Sequence, residues 1–496
     1  MPEYNSIDPH PADHGLEELK SDTYDVICIG SGWAGRVLAA RVAKAVLSAL
    51  IIEEELIGGD CPFWACVPSK VLLRSQDALE EAASVGGAKE RLSGGPGVDV
   101  EAVFDRRDKF TSKWDDNALL VPMVEGSGAH VVRGKGRLAG EKKVTVEQNG
   151  RIVTIQARHA VAICTGSTPT MPGIPGLLEA NPWNPRHATS ASEAPKSLVV
   201  IGAGAVGTEM ATAYAGFGTK VTLVSSTPEI LARFEPEAGR VVRESFVSKG
   251  VKVHLSTKVT KVHRESNQPV KVSLSDGTIV EAEQVLVAAG RRAQTSGIGL
   301  EEFGIDTKGA PIAVDDSMRV QNVAGGWLFA GGDVVGRHPL THGAKYHGRI
   351  MSNVILAQHK GTSIDDSPWS QTLATADTRA LPQVVFTDPN IASVGYTKAS
   401  AAKAGLNTKE ICSPVVTLGA RIRSDGAEEG WAQWVVEEGS NKLLGATLVG
   451  KDVGEQLQAF TVAVVGEMTL ERLAHAIPSF PTSSEVFLNL VEAAGF

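Results

Sequence analysis

A short apolar run, a GxGxxG turn and an alanine-rich helical stretch occur twice in this chain, and that repeat constrains the fold more than any other feature. The first copy passes from Tyr24 to Ile29 through Gly30-Ser31-Gly32-Trp33-Ala34-Gly35 into Ala39, Ala40, Val42 and Ala43. In this setting each glycine has a task. The first allows the tight turn, the second lets backbone approach a pyrophosphate, and the third lets helix and strand pack closely. The free N–H groups of the helix N-terminus then face the phosphates. A second strand, Ala49 to Ile52, ends at Glu53, an acid placed to accept hydrogen bonds from a ribose diol. The second copy runs from Leu198 to Ile201 through Gly202-Ala203-Gly204-Ala205-Val206-Gly207 into a helix carrying Glu209, Met210 and Ala211. Its second strand, Val221 to Val224, brings Ser225 to the same offset that Glu53 has in the first. Two such units at matched spacing imply two bound dinucleotides, and therefore electron transfer between them.

The copies differ at the ribose position, where Glu53-Glu54 becomes Ser225-Ser226. A carboxylate there binds the diol of NAD and repels a 2′-phosphate. Its absence favours NADPH, with Ser225, Ser226 and Arg233 as phosphate-holding candidates, although serines also tolerate NADH. A chain of 496 residues suggests about three domains. The formal charge of −9 provides no basic footprint for nucleic acid or an anionic membrane. No apolar run approaches the ~18–20 residues that span a bilayer. Residues 1–23 are polar and acidic, unlike a secretory or mitochondrial leader. The expectation is a flexible N-terminal arm and a cytoplasmic address.

Of the five cysteines, Cys28 and Cys164 lie in apolar runs and read as core, and Cys412 stands alone. Only Cys61 and Cys66 look arranged, in Gly58-Gly59-Asp60-Cys61-Pro62-Phe63-Trp64-Ala65-Cys66-Val67-Pro68-Ser69-Lys70. On a straight helix residues so spaced diverge by ~140° and rise ~7.5 Å, whereas a disulfide needs Cα atoms within ~4.4–6.8 Å. The backbone must be irregular here, and Pro62 and Pro68 supply the reason. A pair near a helix start has its thiolate favoured by the dipole. A zinc site needs further ligands, and none is near in sequence, so no metal is expected.

The GG-x-C-x4-C-x-P-S-K segment, following an FAD-type turn, resembles the class I pyridine nucleotide-disulfide oxidoreductases, which include glutathione reductase, dihydrolipoamide dehydrogenase and mercuric reductase. The resemblance extends over nearly the whole chain from Tyr24. Thr165-Gly166-Ser167 with Pro169 and Ile174-Pro175-Gly176 looks like that family's crossover out of the FAD domain, and Ala288-Ala289-Gly290-Arg291 like the return. Ala330-Gly331-Gly332-Asp333 resembles the second FAD motif, whose Asp binds the ribitol chain, and Leu340-Thr341-His342 continues it onto a helix. From Val384, VVFTDPNIASVGYT resembles the start of the interface domain.

The resemblance implies an α/β fold with two Rossmann-like dinucleotide-binding domains and a C-terminal α+β interface domain. The FAD domain would comprise residues 24–175 and 291–368, split by an NAD(P)H domain at 176–290, with the dimerisation domain at 369–496. It implies a homodimer whose active site is completed across the interface. NAD(P)H would reduce FAD on one face and the flavin would reduce a Cys61–Cys66 disulfide on the other. Cys66 would be the charge-transfer thiolate, Cys61 would attack substrate, and Lys70 with Glu209 would match an ion pair beside the flavin. Mercuric reductase carries a C-terminal cysteine pair, whereas this chain ends Ala493-Ala494-Gly495-Phe496.

One departure bears on chemistry. The family's His-Pro-Thr-x-x-Glu, in which the partner subunit supplies an acid–base His oriented by the Glu, is here Phe480-Pro481-Thr482-Ser483-Ser484-Glu485. A positioned acid or base is worth ~10²–10⁴-fold, and a Phe leaves the sulfur side drier. The family member 2-ketopropyl-coenzyme M oxidoreductase/carboxylase also has Phe there and a similar C-P-x-x-A-C-V-P segment. That enzyme has His where Glu485 stands and Pro-His-His where this chain has Pro68-Ser69-Lys70. The expected function is NAD(P)H-dependent reduction of a small sulfur-containing substrate with an atypical proton path. The alternatives are thioether cleavage or carbanion generation, and a redox-responsive NAD(P)H-binding protein.

Overall fold

In a computed structural model, residues 7–92, 97–266, 268–425 and 430–496 are described. The first sheet is built around the glycine-turn strand Thr23–Ile29, which pairs in parallel with Ala49–Glu53 on one side and Arg151–Ile163 on the other. Ala49–Glu53 pairs in turn with His130–Arg133. The strand Leu328–Ala330 joins Arg151–Ile163 in parallel from far along the sequence. Lys143–Gln148 and Lys135–Leu138 extend the sheet antiparallel. Near-continuous burial of Val26 to Ile29 and Leu50 to Ile52 is what a parallel sheet covered on both faces requires.

Between Ile163 and Leu328 the chain leaves this sheet and builds a second unit. Its crossing points pair with each other, Ser167–Pro169 antiparallel to Arg291–Ala293. The second unit has a parallel sheet in the order Lys252–His254, Lys220–Val224, Ser197–Ile201, Gln284–Val287, with a three-stranded antiparallel sheet beside it. The third unit is a five-stranded antiparallel sheet, Pro382–Val385, Asn390–Gly395, Leu443–Gly450, Trp431–Glu437 and Thr408–Pro414 in spatial order. The helices Val453–Val465 and Val486–Ala493 cover it, meeting the sheet through Trp434, Phe460 and Phe487. This is the α/β architecture expected from the sequence.

Cys28 and Cys164 are buried in the first core as expected, and burial pushes the Cys28 thiol up to about 12. Cys412 is exposed. The expected N-terminal arm is different over residues 7–22. Arg133 draws Asp13 into a 2.8 Å ion pair and donates its backbone N–H to the His14 carbonyl, while Leu16 is buried. Residues 1–6 lie outside the described residues. Among the described residues no helix is long and apolar enough to cross a membrane.

Candidate functional site

The glycine turns are built alike. Gly30 and Gly202 adopt φ of +103° and +109°, the left-handed half of backbone space where L side chains are strained. A Cβ on Gly35 would overlap the Gly30 carbonyl, and one on Gly207 the Gly202 carbonyl. The middle glycines are open: Gly204 has nothing within 4 Å of a built Cβ, and Gly32 meets its nearest atom, the Cys164 carbonyl, at 4.0 Å. Gly166 and Gly290, at φ of +74° and +113°, are equally open. Turns tight at the first and third glycine and vacant at the second fit a pyrophosphate laid on the helix N-terminus.

Glu53 sits beside the first turn and accepts from the Ser31 N–H (2.8 Å), the Ser31 hydroxyl (2.6 Å) and the Glu55 N–H (3.0 Å). Burial pushes its carboxyl up against those bonds. Across the crossover, Ser167 donates to Asp333 at 2.6 Å and accepts from Arg291 Nε at 2.7 Å. Thr165 bonds the Gln294 carbonyl at 2.6 Å, closing the same corner. Burial raises the Asp333 carboxyl, with the Ser167 bond and Arg291 opposing it.

At the second turn, the Ser225 hydroxyl is 2.7 Å from Thr227 Oγ1 and buried, so its side chain is committed within the loop. Ser226 and Arg233 are exposed. Of the phosphate-holding candidates, these remain the accessible ones.

The sulfur centre has the irregular backbone that the prolines require. A short helix, Asp60–Phe63, carries Cys61; the chain then breaks at Ala65, and Cys66 opens the long helix Cys66–Ala83. The two sulfurs are unbridged and close enough to hydrogen bond to each other. Cys66 Sγ also lies 3.1 Å from the hydroxyl of Thr341, the first residue of the helix Thr341–Lys360. Two long helices thus aim their N-termini at one dithiol, the arrangement that favours a thiolate.

The hydrogen bond from Cys66, opposed by burial and assisted by Thr341, Trp33 and Arg36, brings Cys61 down to about 6. The same bond and burial push Cys66 up. One proton is shared between two sulfurs, so the dithiol titrates as a pair and holds a single thiolate near neutral pH.

One turn into the Cys66 helix, Lys70 Nζ reaches Glu209 Oε2 at 2.6 Å, and the other Glu209 oxygen accepts the Phe386 N–H at 3.0 Å. Glu209 comes from the second glycine-turn helix, so this pair ties the sulfur centre to the second nucleotide unit. On the other flank, Asp60 receives Arg186 at 2.7 Å and a bond from Arg291. Burial pushes the Asp60 carboxyl up, and the two guanidiniums more than offset it. A cavity of about 1120 Å³ runs along the helix from Cys66 and Lys70 past Phe386 to Arg74 and Asp77.

Phe480 and Glu485 are not drawn into this cluster. Phe480 is 69% exposed on the third unit, and Glu485 Oε2 is buried without a hydrogen-bond partner. Sequence reasoning did not assign Thr341, Trp33 or Arg36 to the sulfur centre. It also missed His347, which is fully buried, accepts the Gly332 N–H at 3.0 Å and donates to Asp377 at 2.9 Å. No local signal marked His347, since its partners Gly332 and Asp377 lie 15 and 30 residues away in sequence.

The sequence profile of the pyridine nucleotide-disulphide oxidoreductases matches residues 24–348, and that of their dimerisation domain matches residues 381–491. The chain is 30% identical over 493 residues to a dihydrolipoyl dehydrogenase of Rhizobium etli, covering 95% of this chain and 98% of that one. A mercuric reductase of Staphylococcus aureus is 27% identical, with 96% of this chain and 83% of that protein covered. Among solved structures, the HOCl-induced flavoprotein disulfide reductase RclA from Escherichia coli superposes with a TM-score of 0.79 at 23% identity, over 95% of this chain and 99% of that one.

Proposed function

Because the chain belongs to the pyridine nucleotide-disulphide oxidoreductase family, we propose that it passes electrons from NADPH to a Cys61–Cys66 disulfide and on to a small sulfur-containing substrate. The observation that carries this reading is the dithiol itself, with one sulfur ionised at about 6 and the Lys70–Glu209 pair one helical turn away. In the overall reaction NADPH and a proton reduce a disulfide to two thiols.

The family binds FAD and a pyridine nucleotide. In this chain Gly30, Gly32, Gly35, Glu53, Thr165, Gly166, Gly290 and Asp333 would hold FAD, and their open glycines fit it. When bound, FAD supplies the two-electron carrier between nicotinamide and sulfur. Gly202, Gly204 and Gly207 would seat the nicotinamide dinucleotide, with Ser226 and Arg233 toward a 2′-phosphate. His347 supports the Asp333 corner by fixing the Gly332 N–H. Removing it leaves the Gly332 N–H without its acceptor and Asp377 with Arg337 as its remaining side-chain partner, a loss of ~1–3 kcal/mol. Accordingly His347→Ala is expected to retain about tenfold less FAD through dialysis, with His347→Gln recovering part of it, read from flavin absorbance per protein.

The dimerisation domain supports a homodimer. Exposed Phe480, Ile477, Leu418 and Ile422 on that domain are the apolar side chains such contact would cover. Phe480 would then bring no proton to the partner's sulfurs. The unpartnered Glu485 oxygen fits a frame whose proton carrier is missing. That observation favours a second reading, thioether cleavage or another reaction of a proton-poor thiolate.

Anaerobic titration with NADPH and NADH, followed by turnover on disulfides and thioethers, tests both readings. NADPH is expected to reduce the enzyme at the lower concentration, and Phe480→His to raise disulfide reduction about 10–100-fold. A fall in every activity on Phe480→His would show that this residue only packs.

A further inference from the structure

Among the described residues the indole Nε1 of Trp33 and Nε of Arg36 are buried with no oxygen or nitrogen acceptor, and the Trp33 N–H turns to the Cys61 sulfur instead. Arg36 is 7% exposed, and its only other described bond is a long one, 3.4 Å, from Nη2 to the Gly58 carbonyl. Its guanidinium carbon stands 4.1 Å from the Trp33 ring centroid, and Lys345 Nζ stands 3.7 Å from the same centroid. Lys345 lies one turn beyond Thr341, whose hydroxyl touches Cys66. The cysteine segment folds directly over this group, since a Cβ on Gly59 would meet the Gly32 Cα at 3.2 Å.

The internal repeat supplies a control. At the positions matching Trp33 and Arg36, the second glycine turn has Ala205 and Thr208. A phosphate-binding turn therefore needs neither the indole nor the guanidinium, and they occur only in the copy that faces the cysteines. A neutral thiol is a poor acceptor. A thiolate is a strong one, and it satisfies the donors that the fold otherwise leaves unpaired.

We propose that Trp33, Arg36 and Lys345 form a cation-bearing cage that holds Cys61 as a thiolate without a base. Trp33 is the positioning residue, gathering two cations on its ring by cation–π attraction. Arg36 carries the nearest permanent charge. The other charged or titratable groups around Cys61 are Cys66 and Lys70 on the following helix, Glu53 toward Arg36, and Asp60. The Asp60 charge is engaged by Arg186 and Arg291. Burial lowers Arg36 to about 10, which leaves it charged throughout the range in which Cys61 titrates. The cage's importance for turnover rests on the redox role proposed above, but its effect on ionisation is measured separately.

The test is alkylation of the reduced holoenzyme by iodoacetamide between about pH 5 and 9, with the modified cysteine identified by peptide mass. Wild-type Cys61 is expected to react with a midpoint near 6. Arg36→Met and Lys345→Gln move the midpoint upward, each unit costing about tenfold in rate well below it. Arg36→Lys restores most of the wild-type profile, and Trp33→Phe, which keeps the ring and loses the N–H, falls between. Coincident profiles for wild type, Arg36→Met and Lys345→Gln overturn the proposal. Should Arg36→Met fail to fold, the half-exposed Lys345→Gln decides by itself, and an unshifted profile there is fatal. The long-wavelength absorbance on anaerobic reduction by NADPH reports the redox role independently. Its absence with a cage-dependent profile would remove the proposed function and leave the cage standing.

Discussion

Replacing Cys66 with Ala is expected to abolish disulfide turnover, by on the order of 10³-fold or more, while leaving a folded flavoprotein. Loss of a covalent participant removes a whole step, which is why such substitutions exceed the loss of a supporting hydrogen bond. The structure adds a second consequence. Cys66 provides the largest influence lowering Cys61 to about 6, a hydrogen bond onto its sulfur. Without it, Cys61 alkylation should shift to higher pH even with Arg36 and Trp33 in place. Where the flavin draws the shared thiolate onto Cys66, the anaerobic NADPH spectrum shows a thiolate–flavin band that Cys66→Ala removes, and an undiminished band in that variant would exclude Cys66 as the flavin-side sulfur. Cys61→Ser is expected to stop turnover equally while keeping that band.

The second glycine turn allows binding to be separated from folding. Gly204→Val introduces a side chain where a built Cβ finds nothing within 4 Å, so the fold has room for it. That room is the surface a pyrophosphate would occupy. The expected result is unchanged thermal stability and flavin content with an NADPH KM raised about 100-fold, equivalent to ~2.7 kcal/mol of lost binding. Gly207→Ala should do the reverse. Its methyl overlaps the Gly202 carbonyl, so strand and helix must separate, at a cost of ~1–3 kcal/mol or more. Thermal unfolding and nicotinamide titration of the two variants check the contrast. Equal losses of stability in both would show that Gly204 also serves packing.

Much of the site was legible in the sequence because its signals are local. The glycine turns need particular φ values and close approaches, and these are set by residues within a few positions of one another. The cysteine segment is similar: Pro62 and Pro68 forbid a continuous helix, and the observed break at Ala65 between two helices follows. The contact of the Ser225 hydroxyl with Thr227 was not legible, because it is a choice of rotamer that residue type does not fix. The polar composition of residues 7–22 predicts an arm. A buried Leu16 and the Asp13–Arg133 pair hold them down, and neither is visible without the sheet that carries Arg133.

Residue order alone carries the two glycine turns, the paired cysteines and the phenylalanine at position 480. What the tertiary structure decided is the environment of those sulfurs. Thr341 reaches them from a helix far along the chain, Lys345 on that helix stands over the Trp33 ring, Glu209 comes from the other nucleotide unit, and Arg36 and Trp33 face them where Gly59 lies on Gly32. The physical reason is range. Backbone conformation answers to neighbours in sequence, whereas the charge state of a sulfur answers to every dipole, cation and buried surface brought within a few ångströms by folding.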